Sequence, residues 1–144
     1  MPSESFSELG GVLGETARVW RGRLDERLRP LGLSQTRWLA ILHLSKSESG
    51  LAQRELALRI GISQASLSAQ IDHLLQNGWV ERRDDPRDRR SKTVYLTDQA
   101  KGLSRKIKEV AAELRAELLS GLDEEDVRCC ERVLRHILQR ARSI

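Results

Sequence analysis

Residues 82–97 read Arg-Arg-Asp-Asp-Pro-Arg-Asp-Arg-Arg-Ser-Lys-Thr-Val-Tyr-Leu-Thr, a charged turn running into an alternating strand. Asp85-Pro86 starts a turn, and the alternation into Val94 and Leu96 is that of a half-buried strand. Upstream, Trp79-Val80-Glu81-Arg82 supplies an antiparallel partner. The two make a β-hairpin whose tip crowds Arg87, Arg89, Arg90 and Lys92 together. Such a tip is held together best when an anion meets it, and the backbone or narrow minor groove of DNA would do so. A solvated charged loop is the plain alternative for a charge run taken alone. The residues before the hairpin decide between the two.

Immediately upstream lie two short helical patterns. Gln53 to Ile60 carries Leu56, Ala57 and Ile60 on one face, and Gly61 breaks it. Ser63 then caps a second helix with Leu67, Ile71, Leu74 and Leu75 as its apolar face, ended by Asn77-Gly78. Two short helices joined by a glycine-containing turn are the helix-turn-helix pattern. A basic hairpin directly after the second helix makes it a winged helix-turn-helix, and that order is more specific than any of its parts.

Further out, the chain is helical. Leu9, Leu13, Ala17, Trp20, Leu24, Leu28 and Leu31 fall three and four apart, one stripe of an amphipathic helix ending near Arg29-Pro30. Ser34 caps another helix holding Trp38, Ile41, Leu42 and Leu44. Thr97 is read as the cap of a long helix with Ala100, Leu103, Ile107, Val110, Leu114 and Leu118 in stripe, roughly 35 Å to Leu119. Gly121 ends it, and Asp123 caps a last helix striped by Val127, Cys130, Leu134, Ile137, Leu138 and Ala141. A small winged core cannot cover three such stripes by itself, so the reading expects a homodimer. The fold class is therefore mainly α with a small β wing. Residues 1–31 form an N-terminal dimerisation helix, 32–97 a winged helix-turn-helix DNA-binding domain, and 98–144 C-terminal dimerisation helices.

Composition narrows the function. The chain of 144 residues has 25 Lys and Arg against 21 Asp and Glu, a mild excess in which clustering matters more than the total. Aromatic residues are 3% of the chain, too few for a stacking platform for single-stranded nucleic acid. No run of about 18 apolar residues exists, and Met-Pro-Ser-Glu-Ser-Phe lacks the regions of a signal peptide, so a cytoplasmic protein without membrane contact is expected. Cys129 and Cys130 are adjacent, and helical neighbours point roughly 100° apart, so they do not readily pair. They are read as buried or half-buried small apolar residues, with a redox switch between subunits as the alternative. No metal or cofactor is expected. Glycine-rich phosphate loops, nucleophile motifs and paired His/Glu spacings are all missing, which argues against an enzyme.

Several stretches together resemble the MarR family of bacterial transcriptional regulators: Leu33-Ser-Gln-Thr-Arg-Trp-Leu-Ala-Ile-Leu, Gln53-Arg-Glu-Leu-Ala, Ile62-Ser-Gln-Ala-Ser-Leu-Ser, Asn77-Gly-Trp-Val-Glu-Arg and Asp85-Pro-Arg-Asp-Arg-Arg-Ser-Lys. Val19-Trp-Arg, Arg27-Leu-Arg-Pro-Leu and Gln35-Thr-Arg-Trp are similar to the SlyA branch. The likeness runs from about Ala17 to Thr97, and Asp85, Arg87 and Arg90 leading into Leu96-Thr97 are its most specific part. It implies a homodimer reading a pseudo-palindromic site, usually as a repressor. It also implies release by small aromatic acids in a pocket that here would involve Arg21, Thr36 and Trp38. Core packing of Trp20 and Trp38 is the alternative. Redox-sensing relatives place a cysteine in the first helix, and this chain has none there.

The second helix of the motif belongs in the major groove. With Leu67, Ile71 and Leu74 inside, its opposite face centres on Ala69, with Ala65, Ser66, Asp72 and His73 around it and Gln64 and Ser68 flanking. Relatives often carry arginine where Ala69 stands, so the usual bidentate guanine reader is missing. Gln64 is then the candidate adenine reader, or else an exposed first-turn residue. His73 is a phosphate neighbour or plain surface. In the wing, Arg89 is expected at the minor groove and Arg90 as partner of Asp88 or Asp85. A winged-helix module meeting an acidic protein instead of DNA is the competing function, and salt-dependent duplex binding separates the two.

Overall fold

The computed structural model describes residues 6–144, apart from the side chain of Arg89. Two units are distinguished within the chain, one ending at Ala111 and one running Ala112–Ile144.

In the first unit, α1 spans Leu9–Leu28 and tightens into a 3-10 turn over Arg29–Leu31. Its stripe splits: Leu24 and Leu28 are buried, whereas Leu9 and Leu13 stay exposed, as do Val12 and Val19 off the stripe. Helix α2, Gln35–Leu44, starts as expected at Ser34, whose Oγ accepts from the Arg37 amide at 3.4 Å. The sequence places Leu42 on its inner face, yet Leu42 is only half-buried while Trp38, Leu39, Ala40, Ile41 and Leu44 are buried. The reason is that α2 is a central helix, touching α1, the two helices of the motif and the wing, so no single stripe describes it.

Helix α3 spans Gln53–Ile60 with Leu56, Ala57 and Ile60 inside. Gly61 closes it at φ 86°, in the left-handed region where a side chain would be strained, and its amide donates to the Ala57 carbonyl. Helix α4, Gln64–Gln76, is capped by Ser63 and buries Leu67, Ile71 and Leu74 completely. Each such side chain stabilises the fold by about 1.5–3 kcal/mol.

The hairpin joins β2, Val80–Asp85, to β3, Asp88–Leu96. Val80 pairs with Leu96 and Arg82 with Val94, and the register shifts between Asp84 and Asp85. A strand that sequence reading missed, β1 at Leu51–Ala52, pairs antiparallel with β3 through Leu51 and Val94, giving the order β1-β3-β2. Two residues are too short to show a period. The role given to Thr97 also needs correction. Its hydroxyl donates to the Gly78 carbonyl at 2.6 Å and its amide to Trp79, so its side chain fastens the base of the wing, and at the N-cap position it makes no side-chain cap bond. A 3-10 turn over Asp98–Ala100 intervenes before α5, Lys101–Leu119.

The second unit holds the end of α5 and helix α6, Glu124–Ser143. Asp123 caps α6 by accepting from the Glu125 amide at 2.8 Å. Glu124, Glu125 and Asp126 in the first turn and Arg140 and Arg142 in the last match its macrodipole. No α6 residue is buried: Leu134 and Leu138 are exposed, Val127 and Ile137 half-buried. Cys129 and Cys130, expected to be at least half-buried, are exposed free thiols, because this helix's apolar stripe is uncovered in the single chain. Among the described residues, no helix is long and apolar enough to cross a membrane.

Candidate nucleic-acid interface

Burial of Leu67, Ile71 and Leu74 turns the other side of α4 outward. Gln64, Ala65, Ser66 and Ala69 are exposed there, and Ser68 and His73 are half-buried. Two arginines brace the helix on either side of this strip. Arg37 Nε, from α2, donates to Gln70 Oε1 at 2.8 Å, and Arg82 Nη1, from β2, lies 3.5 Å from Asp72 Oδ1. Ser66 belongs partly to the cap, with its hydroxyl 2.9 Å from Ser63 Oγ. His73 is drawn into the helix end by Asn77, whose Nδ2 lies 3.2 Å from His73 Nδ1 and donates to the His73 carbonyl. The strip therefore offers one long polar side chain at its N-terminal end, Gln64, and small residues after it.

The wing is stiffened by short-range chemistry. Asp85 Oδ1 accepts from the Arg87 amide and Asp88 Oδ1 from the Arg90 amide, each at 2.9 Å, so two carboxylates build the turn. Asp88 thus meets the Arg90 backbone amide where an ion pair with its guanidinium was expected, and the Arg90 side chain is exposed. Arg83 lies over the Tyr95 ring at 4.5 Å and bonds Glu81 at 2.8 Å. Lys92 pairs with Asp84 across the strands, so the wing's ammonium is shared with a carboxylate. Arg87 is exposed at the turn, and the Arg89 side chain lies outside the described residues.

Helix-turn-helix and wing meet at a cleft of about 340 Å³ lined by Ala52, Gln53 and Arg54 at the start of α3, Gln64 of α4, and Asp88, Arg90, Ser91 and Lys92 of β3. The structure thereby brings together three residues expected on DNA, Gln64, Arg90 and Lys92, and adds Gln53, Arg54 and Ser91. Gln53 Oε1 is buried and accepts no hydrogen bond, alone in this among the described residues. Leaving a buried acceptor unmet costs about 1–3 kcal/mol. The sequence shows Gln53 as the start of a helix but not as a binding residue. Its being the first residue of α3, as Gln64 is of α4, was the available signal.

Arg21, Thr36 and Trp38 are placed differently. Trp38 has no exposed surface, and its indole N–H donates to Asp25 Oδ1 at 2.8 Å, so a carboxylate holds the indole edge. Arg21 and Thr36 are half-buried, and Arg21 Nη1 reaches the Ile60 carbonyl at the end of α3 at 3.4 Å. Close to Arg21 sits the half-buried His43 of α2. Burial first, then the charges of Lys46, Arg59 and Arg21, lower its pKa from 6.5 to about 4. The ring is therefore neutral near pH 7 amid three cations.

Residues 31–91 match the MarR family. The structure is similar to that of the transcriptional regulator PA3341, at 40% identity and a TM-score of 0.86, over 94% of this chain and 99% of that one. A MarR-family regulator from Rhodococcus sp. RHA1 matches at 23% identity and TM-score 0.79, over 94% and 96% of the two chains. CouR from Rhodococcus jostii RHA1, solved bound to p-coumaroyl-CoA, matches at 20% and 0.78, over 94% and 95%. The latter two likenesses are of fold.

Proposed function

This chain belongs to the MarR family of transcriptional regulators, DNA-binding proteins rather than enzymes, and from that premise we propose that it binds a pseudo-palindromic, A·T-rich operator as a homodimer of the SlyA-like kind. One observation carries the reading: Gln64, at the N-terminal end of the exposed strip of α4, lines the same cleft as Arg90 and Lys92 of the wing. A duplex fits such a surface, with α4 in the major groove and the wing along the flanking minor groove. Gln64 reads adenine, while Ala65 and Ala69 meet thymine methyls. Ser66, Ser68 and His73 lie beside the backbone, and Arg87, Arg89, Arg90 and Lys92 supply the cations. Because the α4 strip is poor in long donors, the arginine-rich wing contributes much of the preference, which favours A·T-rich flanks.

The test is duplex binding as a function of salt. Log affinity should fall linearly with log salt, steeply enough for several phosphate contacts. Salt-independent association, or binding to an acidic protein and no duplex, would refute the reading. Dimerisation is supported by the exposed Leu9, Val12, Leu13 and Val19 on α1 and, separately, Leu134 and Leu138 on α6. Sedimentation showing a folded monomer at micromolar concentration would overturn it. For release, a small aromatic acid is assigned to Arg21 and Thr36, with Trp38 as the buried wall. Calorimetry with a panel of aromatic carboxylates tests this, and an unchanged response in Trp38→Phe would count against it.

A further inference from the structure

Gln53 Oε1 is an acceptor enclosed by protein and answered by no donor, on a side chain that lines the cleft between the helix-turn-helix and the wing. Gln64 lines the same cleft and is exposed. Each is the first residue of its helix. Arg54, Arg90 and Lys92 outnumber Asp88 in the lining, and that excess of positive charge suits a backbone phosphate. The chemistry of two primary amides then fits a specific order. Gln64 has two N–H bonds on Nε2 and one carbonyl oxygen. One N–H can meet Gln53 Oε1 while the other donates to adenine N7 and Oε1 accepts from adenine N6. Gln53 Nε2 remains free to donate to the phosphate in the cleft.

We infer that Gln53 is a positioning residue for base readout: in the complex its orphaned oxygen fixes the Gln64 amide for adenine, and its nitrogen ties that amide to a backbone phosphate. This rests on the duplex-binding reading above. It makes the α3 side chain, which touches no base, a determinant of which base is chosen. The observation it explains is that an acceptor stands unmet in the free protein on a residue lining the same cleft as Gln64.

The experiment compares wild type, Gln53→Met, Gln53→Glu and Gln64→Ala, each checked by thermal melt, in selections on a library of randomised duplexes followed by titration of the winning duplex and its single-base variants. Wild type should prefer adenine at one position per half-site by roughly tenfold, the usual scale of a good bidentate contact. Gln53→Met should flatten that position to within about twofold while leaving the others, and in Gln64→Ala it should have no further effect there. Gln53→Glu keeps the acceptor and places a carboxylate near the phosphate, so it should retain the adenine preference while binding every sequence less tightly. A uniform loss across all sequences in Gln53→Met, or additive effects at that position, overturns the inference and leaves Gln53 a phosphate contact. A wild type that enriches no motif overturns the duplex-binding reading instead.

Discussion

Acidification from about pH 7.5 to about pH 5 should destabilise this protein through His43. In the unfolded chain the imidazole takes up a proton as the pH falls through 6.5, whereas in the fold it stays neutral down to about 4. Within that window the unfolded state binds more protons, so stability rises with pH. The contribution is complete above the unfolded pKa, shrinks steadily on the way down to about 4 and is flat below. At about pH 5 the two values give an upper figure of ~2 kcal/mol, and water reaching the half-buried ring reduces it to about 1–1.5 kcal/mol. Urea denaturation of wild type and His43→Gln at both pH values, at fixed protein concentration, measures it. The variant keeps every carboxylate titration and drops this one, so wild type should lose about 1–1.5 kcal/mol more over the interval. Equal losses in the two proteins would mean that the fold does not hold the ring neutral.

Gly50→Ala should cost about 2–3 kcal/mol by denaturant melt, because Gly50 has φ 76° and a Cβ would stand 2.7 Å from the Val94 carbonyl oxygen. Ser63→Ala, which removes the cap of α4, should cost about 1 kcal/mol in the same assay. Asp84→Asn frees Lys92 and should tighten duplex binding and steepen its salt dependence, while Lys92→Ala lowers the slope by roughly one. Neither should change stability by more than about 1 kcal/mol, since both partners are largely exposed. Arg89→Ala should weaken operator binding by about 1–3 kcal/mol and flatten the A·T preference of the flanks, read by selection on randomised duplexes.

What the sequence made legible was chemistry that acts over three or four residues. Ser34, Ser63 and Asp123 are caps in the structure because an N-cap contact needs only a short oxygen and the next turn's amides. The inner faces of α3 and, apart from the half-buried Leu75, of α4 followed from helical period for the same reason. What stayed hidden depends on partners far along the chain. Thr97 has the composition of a cap, but the carbonyl it meets is nineteen residues away at Gly78. Leu39 and Ala40 lie off the stripe and are buried because other elements surround α2. Cys129 and Cys130 looked interior from their place on an apolar helix, and exposure depends on what covers that helix. In the interface, residue types pointed to Gln64 and the arginines, whereas Gln53 emerged only from an unmet oxygen.

The two-residue strand β1 has a mechanical consequence. Ala52 pairs with Thr93 of the wing's middle strand and is followed at once by Gln53, the first residue of α3. Wing and helix-turn-helix thus share a root with no intervening tether. Two contact surfaces on a slack linker act as separate ligands, the second at an effective concentration set by the tether's length. Here the Ala52–Thr93 pairing joins them directly. Tilting the wing on the duplex must twist the start of α3, and a flexible insertion between residues 52 and 53 would turn one grip into two weak ones.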